Sequence, residues 1–95
     1  MKIQNAYKEK LTAQLKEWDA QINLLEAKAG KLSADLKLKR AEEIVQLRAR
    51  QNAASEKMKE LEEATGEAWE EVKLTADIVW EELKAGVTAA QQKFK

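Results

Sequence analysis

The sequence has no cysteine, no histidine and no proline, and its aromatic residues are three tryptophans, one tyrosine and one phenylalanine. The lack of cysteine and histidine excludes disulfides, Cys/His zinc sites and nucleophile–histidine catalysis. None of the three glycines stands in a phosphate-binding pattern. Carboxylate pairs such as Glu42–Glu43 and Glu81–Glu82 are typical of solvated helix surfaces. We therefore predict a protein that is not an enzyme and that has no cofactor and no metal site.

Long apolar runs are also absent. The first ten residues, MKIQNAYKEK, lack the apolar stretch of a signal peptide. No window approaches the roughly 18 apolar residues that are needed to span a bilayer. We expect a soluble, cytoplasmic protein.

The one basic segment is KLKRAEEIVQLRAR, at residues 37–50. A phosphate-binding face needs clustered cations without opposing charge. Here Glu42 and Glu43 interrupt the cations, no aromatic residue stands among them, and the sequence pI is about 6.4. We do not expect nucleic acid to be a partner.

Charged residues are abundant and make up 36% of the chain. The commonest residue types are the helix formers Ala, Glu, Lys, Leu and Gln, a composition typical of coiled coils and long helices. Residues 1–50 carry a net charge of +4 and residues 51–95 a net charge of −4. The two halves would attract each other if the chain folded back or if two chains met antiparallel.

A heptad stripe begins at Leu11, with steps that alternate between four and three residues. Its members are Leu11, Leu15, Trp18, Ile22, Leu25, Ala29, Leu32 and Leu36. The stripe crosses Gly30 without a change of phase, which favours one continuous helix. In the alternative interpretation Gly30 ends one helix and Ser33 caps the next.

After Leu36 the stripe passes Arg40 and resumes at Ile44, Leu47, Gln51, Ala54, Met58 and Leu61. Arg40 and Gln51 are polar members, which either set the register or lie at the edge of the packed face. From Ala54 onward the apolar residues repeat every eleven positions, so that Trp69 aligns with Trp80. An eleven-residue period keeps one stripe on one face of a nearly straight helix.

The strongest break signal is EEATGEAWEE, in which Thr65 can cap a helix and Gly66 can adopt a turn conformation. We predict a single domain, residues 1–95, with helix one over about 4–64, a break at about 65–66 and helix two over about 67–94. The predicted fold is all-α, an elongated helical hairpin of one long and one shorter amphipathic helix, assembling into a helical bundle. The alternative is a three-helix bundle with breaks near Gly30 and Gly66.

The stripes define an apolar seam that we predict to form the core and the self-association surface. Its members are Leu11, Leu15, Trp18, Ile22, Leu25, Leu32, Leu36, Ile44, Leu47, Met58, Leu61, Trp69, Val72, Trp80, Leu83, Val87 and Phe94. The tryptophans lie on the seam at helical spacing, so we interpret them as core residues rather than as a ligand-binding box.

A second, weaker apolar strip lies on the opposite side of helix two, at Leu74, Ile78, Ala85 and Ala89. A helix that packs against a single partner does not need such a strip. It predicts contact with further helices, in a homo-oligomer that is a dimer or larger. A different protein partner remains an alternative occupant.

Three segments resemble a family of small bacterial coiled-coil proteins, mostly uncharacterised, some of which are labelled stress-response proteins. The segments are LTAQLKEWDAQI, ATGEAWEEVK and VWEELKAGVTAAQQKFK. Gly30 departs from that family's usual unbroken helix. The resemblance implies a stress-related or scaffolding role and names no chemistry.

The function predicted from the sequence is therefore a structural or interaction protein, a small self-associating coiled-coil scaffold that is related to stress through the resemblance. The alternative is reversible binding to a lipid or membrane surface, because eleven-residue amphipathic repeats occur in exchangeable lipid-binding helices. Residues 67–95 have a net charge of −2, which does not favour attraction to anionic headgroups.

Overall fold

The computed structural model describes residues 2–94, and the burial of side chains from residue 4 to residue 94. Within this range every regular element is an α-helix: α1 (Lys2–Ala29), α2 (Ala34–Glu63) and α3 (Glu67–Lys93). The three helices form an elongated bundle of 51 × 17 × 17 Å. The all-α helical bundle expected from the sequence is confirmed, in its three-helix form.

The prediction of one continuous helix over residues 4–64 is wrong, because the chain turns back at residues 30–33. At the end of α1 the N–H groups of Lys31 and Leu32 donate to carbonyls three residues back, at 3.1 and 3.2 Å. Such bonds tighten a last helical turn and stop its propagation. Ser33 then has extended backbone angles (φ −61°, ψ 161°) before α2 begins.

Folding the chain back at residues 30–33 buries the apolar side of α1, which stabilises the fold. A straight helix over residues 4–64 would be about 90 Å long, and in a single chain it would leave Leu11, Trp18 and Ile22 in water. In the bundle these side chains are at most 8% exposed. Burying each stabilises the fold by about 1.5–3 kcal/mol, whereas each helical hydrogen bond lost at the turn costs about 0.5–1.5 kcal/mol.

The second break falls where the sequence predicts it. The chain leaves α2 through Ala64, and Gly66 adopts φ 59°, ψ −129° before α3 starts at Glu67. An L side chain is strained in this region of backbone space, which explains the glycine. The predicted second helix, about 67–94, agrees with α3.

The helices run up, down and up, so that α2 is antiparallel to both neighbours and α1 is parallel to α3. The shared core combines three tryptophans and eight aliphatic side chains with four alanines, and the alanines let the helix axes approach closely. Its buried members are Leu11, Trp18, Ile22, Leu25, Ala29, Ile44, Leu47, Ala54, Leu61, Trp69, Ala76, Trp80, Leu83, Val87 and Ala90.

Most of the predicted seam lies in this intramolecular core. Eleven members are buried: Leu11, Trp18, Ile22, Leu25, Ile44, Leu47, Leu61, Trp69, Trp80, Leu83 and Val87. Five are half-buried at the edges: Leu15, Leu32, Met58, Val72 and Phe94. Leu36 is the exception at 45% exposure, because it lies in the first turn of α2, at the open end of the bundle.

Candidate interaction surface

The outer face of α3, which we define as Leu74, Ile78, Ala85 and Ala89, is turned away from the core. Leu74 is 68% exposed and Ile78 is 59% exposed, while Ala85 and Ala89 are exposed as well. At 100° per residue the four positions fall within about 60° of one another. They therefore share one face of the helix, as the sequence predicts, with the exposed Glu81 between Ile78 and Ala85.

Large exposed residues on the other two helices are more scattered. On α2 the exposed large residues are Leu36, Leu38 and Val45, no two of which lie one turn apart, and Leu24 stands alone on α1. Isolated exposed apolar residues are common on soluble proteins. The outer face of α3 differs because its two large exposed side chains, Leu74 and Ile78, lie one turn apart.

A shallow depression follows the two large side chains along α3. It is lined by small or flexible residues of the second half of the helix: Glu81, Lys84, Ala85, Thr88, Ala89 and Gln92. The outer face thus has a raised part at Leu74 and Ile78 and a low part around Ala85 and Ala89.

Charge is also divided along α3. The exposed acids all lie in its first sixteen residues, at Glu67, Glu70, Glu71, Asp77, Glu81 and Glu82. The exposed cations of the helix, Lys84 and Lys93, lie in its second half. None of the six acids, and not Lys84, forms an ion pair within residues 4–94.

A cluster at the start of α1 fixes the rotation of α3 about its own axis. The Tyr7 hydroxyl donates a hydrogen bond to Asp77, and the Tyr7 ring meets Trp69 edge-on, with centroids 5.6 Å apart. The Lys73 ammonium lies 5.4 Å from the Tyr7 ring centroid and 5.9 Å from that of Trp69. Lys73 is thereby held to the side, and the outer face of α3 stays directed to solvent.

The same contacts perturb the titration of Tyr7. Burial raises the pKa of the phenol above its usual range, and the hydrogen bond to the Asp77 carboxylate raises it further. The hydroxyl is therefore a stable donor at every physiological pH. Its hydrogen bond to Asp77 joins α1 to α3, so the cluster positions α3 in the bundle.

Arg48 is the centre of a polar network between α1 and α2. Its guanidinium contacts Asp19 at 2.9 Å, Glu26 at 2.9 Å, Asn23 at 2.6 Å and Gln51 at 2.6 Å. Because the Arg48 guanidinium makes several hydrogen bonds to residues of α1, it specifies how α1 and α2 align along their length. Gln51, the polar member of the predicted stripe, is thus part of a register-setting contact.

The network also perturbs the titration of Asp19. The hydrogen bond from Gln51, followed by that from Arg48, holds the pKa of the Asp19 carboxyl below its usual range. Gln51 Nε2 lies 2.6 Å from Asp19 Oδ1. Both partners therefore stabilise the ionised carboxylate.

The arginines of the basic segment contact other residues of the chain. Arg40 pairs with Glu43 at 2.7 Å and lies 5.6 Å from the Phe94 ring centroid. Arg50 covers Gly86, and its Nη1 lies 3.4 Å from the carbonyl oxygen of Glu82. Together with Arg48, these side chains contact partners within the chain.

Two further features bear on function. Among residues 2–94 no group of three or more acidic side chains lies close enough to hold a metal ion. None of the helices in that range is long and apolar enough to cross a membrane. Comparison with protein-family models, with curated proteins and with solved structures finds no match to this chain.

Two residues with several contacts in the structure, Tyr7 and Arg48, are not among the candidates that the sequence pattern gives. Tyr7 lies four residues before Leu11, so extending the stripe by one step would have included it. Arg48 was considered only as part of a basic segment. Its partners Asp19 and Glu26 could be found only with the antiparallel register of α1 and α2.

Proposed function

We propose that this protein is a non-enzymatic interaction protein that self-associates through the outer face of α3. The observation that carries the proposal is the exposure of Leu74 and Ile78, one turn apart, on a helix whose opposite side fills the core. Burying a pair of such side chains stabilises an assembly by several kcal/mol before the costs of association.

The expected association is weak and reversible. The seam predicted for self-association is already covered, because the three helices have similar lengths of 28, 30 and 27 residues. A complete monomeric core does not need a second copy to fold. We therefore expect association through the outer face to join monomers that are already folded.

The scaffold role related to stress rests on the family resemblance and stays part of this proposal. The lipid-binding alternative is weakened by the position of α3. Its strongly apolar side, with Trp69, Trp80 and Phe94, packs against α1 and α2, and its exposed side carries the six acids. A membrane surface would have to open the bundle before it could bind the apolar side.

Sedimentation velocity over a concentration series of roughly 10 μM to 1 mM tests the proposal, since small interfaces dissociate in this range. We expect a reversible monomer–dimer equilibrium for the wild type and a monomer for Ile78→Lys. The matched control is Val45→Lys, which places the same charge on an equally exposed aliphatic position of α2. It should associate like the wild type.

Circular dichroism separates loss of association from loss of folding, because both positions are exposed and both variants should unfold at the wild-type midpoint. A wild type that stays monomeric over the whole series would overturn the proposal. Equal loss of association in Ile78→Lys and Val45→Lys would also contradict the assignment to α3.

A further inference from the structure

We propose that two copies pair through their α3 helices in antiparallel orientation, about a two-fold axis close to Glu81. The inference rests on the proposed function and adds the orientation and the register of the contact. It follows from the division of charge and of side-chain size along the outer face of α3.

The charge division favours the antiparallel orientation. A parallel pair would place the acidic first half of α3 against the acidic first half of the second copy. Antiparallel pairing brings that half against the second half of the partner helix, which exposes Lys84 and Lys93. Asp77 then lies within reach of Lys84 of the second copy, whereas Lys93 lies on the other flank of the helix and pairs with Glu43 of its own chain at 3.6 Å.

The difference in side-chain size between the two halves of the outer face determines which residues face each other in the dimer. Leu74 and Ile78 stand out from the helix, and the depression lies around Ala85, Thr88 and Ala89. Antiparallel helices bring these two parts together when Leu74 faces Thr88 and Ala89 of the second copy. Ile78 then faces Ala85 of that copy, and close helix approach is allowed because the facing residues are small.

This register leaves a like-charge contact at the axis. Glu81 faces the Glu81 of the second copy, with Glu82 beside it, and only the flanking Lys84 side chains offset the repulsion. Replacing Glu81 by glutamine should therefore tighten the dimer about twofold to fivefold. Exchanging Lys84 for glutamate should weaken it.

The size of the contact agrees with a reversible dimer. A helix of 27 residues is about 40 Å long, and a face about 10 Å wide gives a footprint of roughly 400 Å² per copy. That area is at the weak end of specific interfaces. Monomer and dimer should therefore both be populated between roughly 10 μM and 1 mM.

The absence of cysteine from the chain allows disulfide trapping with introduced residues. Facing Cα atoms of two packed helices are about 4–6 Å apart, within the range that a disulfide spans. In the proposed register residue 81 faces itself and residue 70 faces residue 92. The informative variants are Glu81→Cys, Glu70→Cys and Gln92→Cys, with Val45→Cys on α2 as the matched control.

Each variant is oxidised alone, and an equimolar mixture of Glu70→Cys and Gln92→Cys is oxidised as well. We expect rapid cross-linking of Glu81→Cys alone and of the mixed pair, but not of Glu70→Cys, Gln92→Cys or Val45→Cys alone. The products are identified by intact mass. In the antiparallel pair two copies of residue 92 are about 33 Å apart, far beyond the reach of a disulfide.

The outcomes separate the two proposals. Rapid cross-linking of Gln92→Cys alone, with no mixed product, would show a parallel pair and overturn this inference while self-association through α3 survives. Cross-linking of Val45→Cys alone at the rate of Glu81→Cys would place the contact elsewhere. No cross-link in any sample, with a monomeric mass for the wild type, would overturn both.

Discussion

Replacing Trp80 tests the packing of the core most sharply. The side chain is 4% exposed, and a buried tryptophan removes about 150–250 Å² from water. At about 25 cal/mol per Å² this burial is worth roughly 4–6 kcal/mol, and tryptophan-to-alanine changes in cores cost about 3–5 kcal/mol. We expect Trp80→Ala to lower the free energy of unfolding by about 3–5 kcal/mol.

The matched variant Trp80→Phe should be much milder. The indole Nε1 of Trp80 is buried, and no atom of the described chain accepts its hydrogen. Removing an unpaired buried N–H recovers about 1–3 kcal/mol, which offsets the smaller ring. We therefore expect Trp80→Phe to remain within about 1 kcal/mol of the wild type.

Guanidinium unfolding followed by circular dichroism at 222 nm measures both changes. A domain of this size has a stability of about 5–14 kcal/mol, so Trp80→Ala should leave a weakened or partly unfolded chain. The exposed change Leu74→Ala is the control and should alter stability by less than about 0.5 kcal/mol. A loss below about 1 kcal/mol for Trp80→Ala would refute the burial of Trp80 between the helices.

Three further predictions concern the turns and the polar network. Gly66→Ala should destabilise the fold by about 1–3 kcal/mol in thermal or denaturant unfolding, because φ is 59° there. Gly30→Ala should be neutral or stabilising by up to about 1 kcal/mol, because an added Cβ meets only backbone oxygens at 3.5 and 3.8 Å; a loss equal to that of Gly66→Ala would contradict the geometry of the first turn. Asp19, whose pKa is lowered in the fold, stabilises the protein above the usual carboxyl pKa and loses that contribution as the pH falls through the lowered value. Urea midpoints of the wild type and Asp19→Asn should therefore differ at neutral pH and converge in strong acid, and a difference independent of pH would refute the contribution of the carboxylate.

The sequence predicted α3 almost to the residue and most of the core, because both depend on local information. Glycine marks the start of α3, and the eleven-residue spacing of Trp69 and Trp80 identifies the buried side. The buried residues of α2, such as Ile44 and Leu61, follow from the same periodicity.

The turn at Gly30 was misjudged for a physical reason. Ala29 and Leu32 keep the phase of the stripe through the turn, so periodicity alone cannot distinguish a straight helix from two helices. The choice depends on whether the apolar side of α1 finds cover within the same chain, which is a property of the whole fold. The Arg48 network could not be predicted either, since its register follows from that turn.

Backbone amide NMR shifts over a dilution series most directly test self-association through the outer face of α3. We expect concentration-dependent shifts to cluster at Leu74, Ile78, Ala85 and Ala89, while the exposed positions of α1 and α2 stay constant. Shifts that cluster around Val45 on α2, or spectra that do not change up to millimolar concentration, would contradict it.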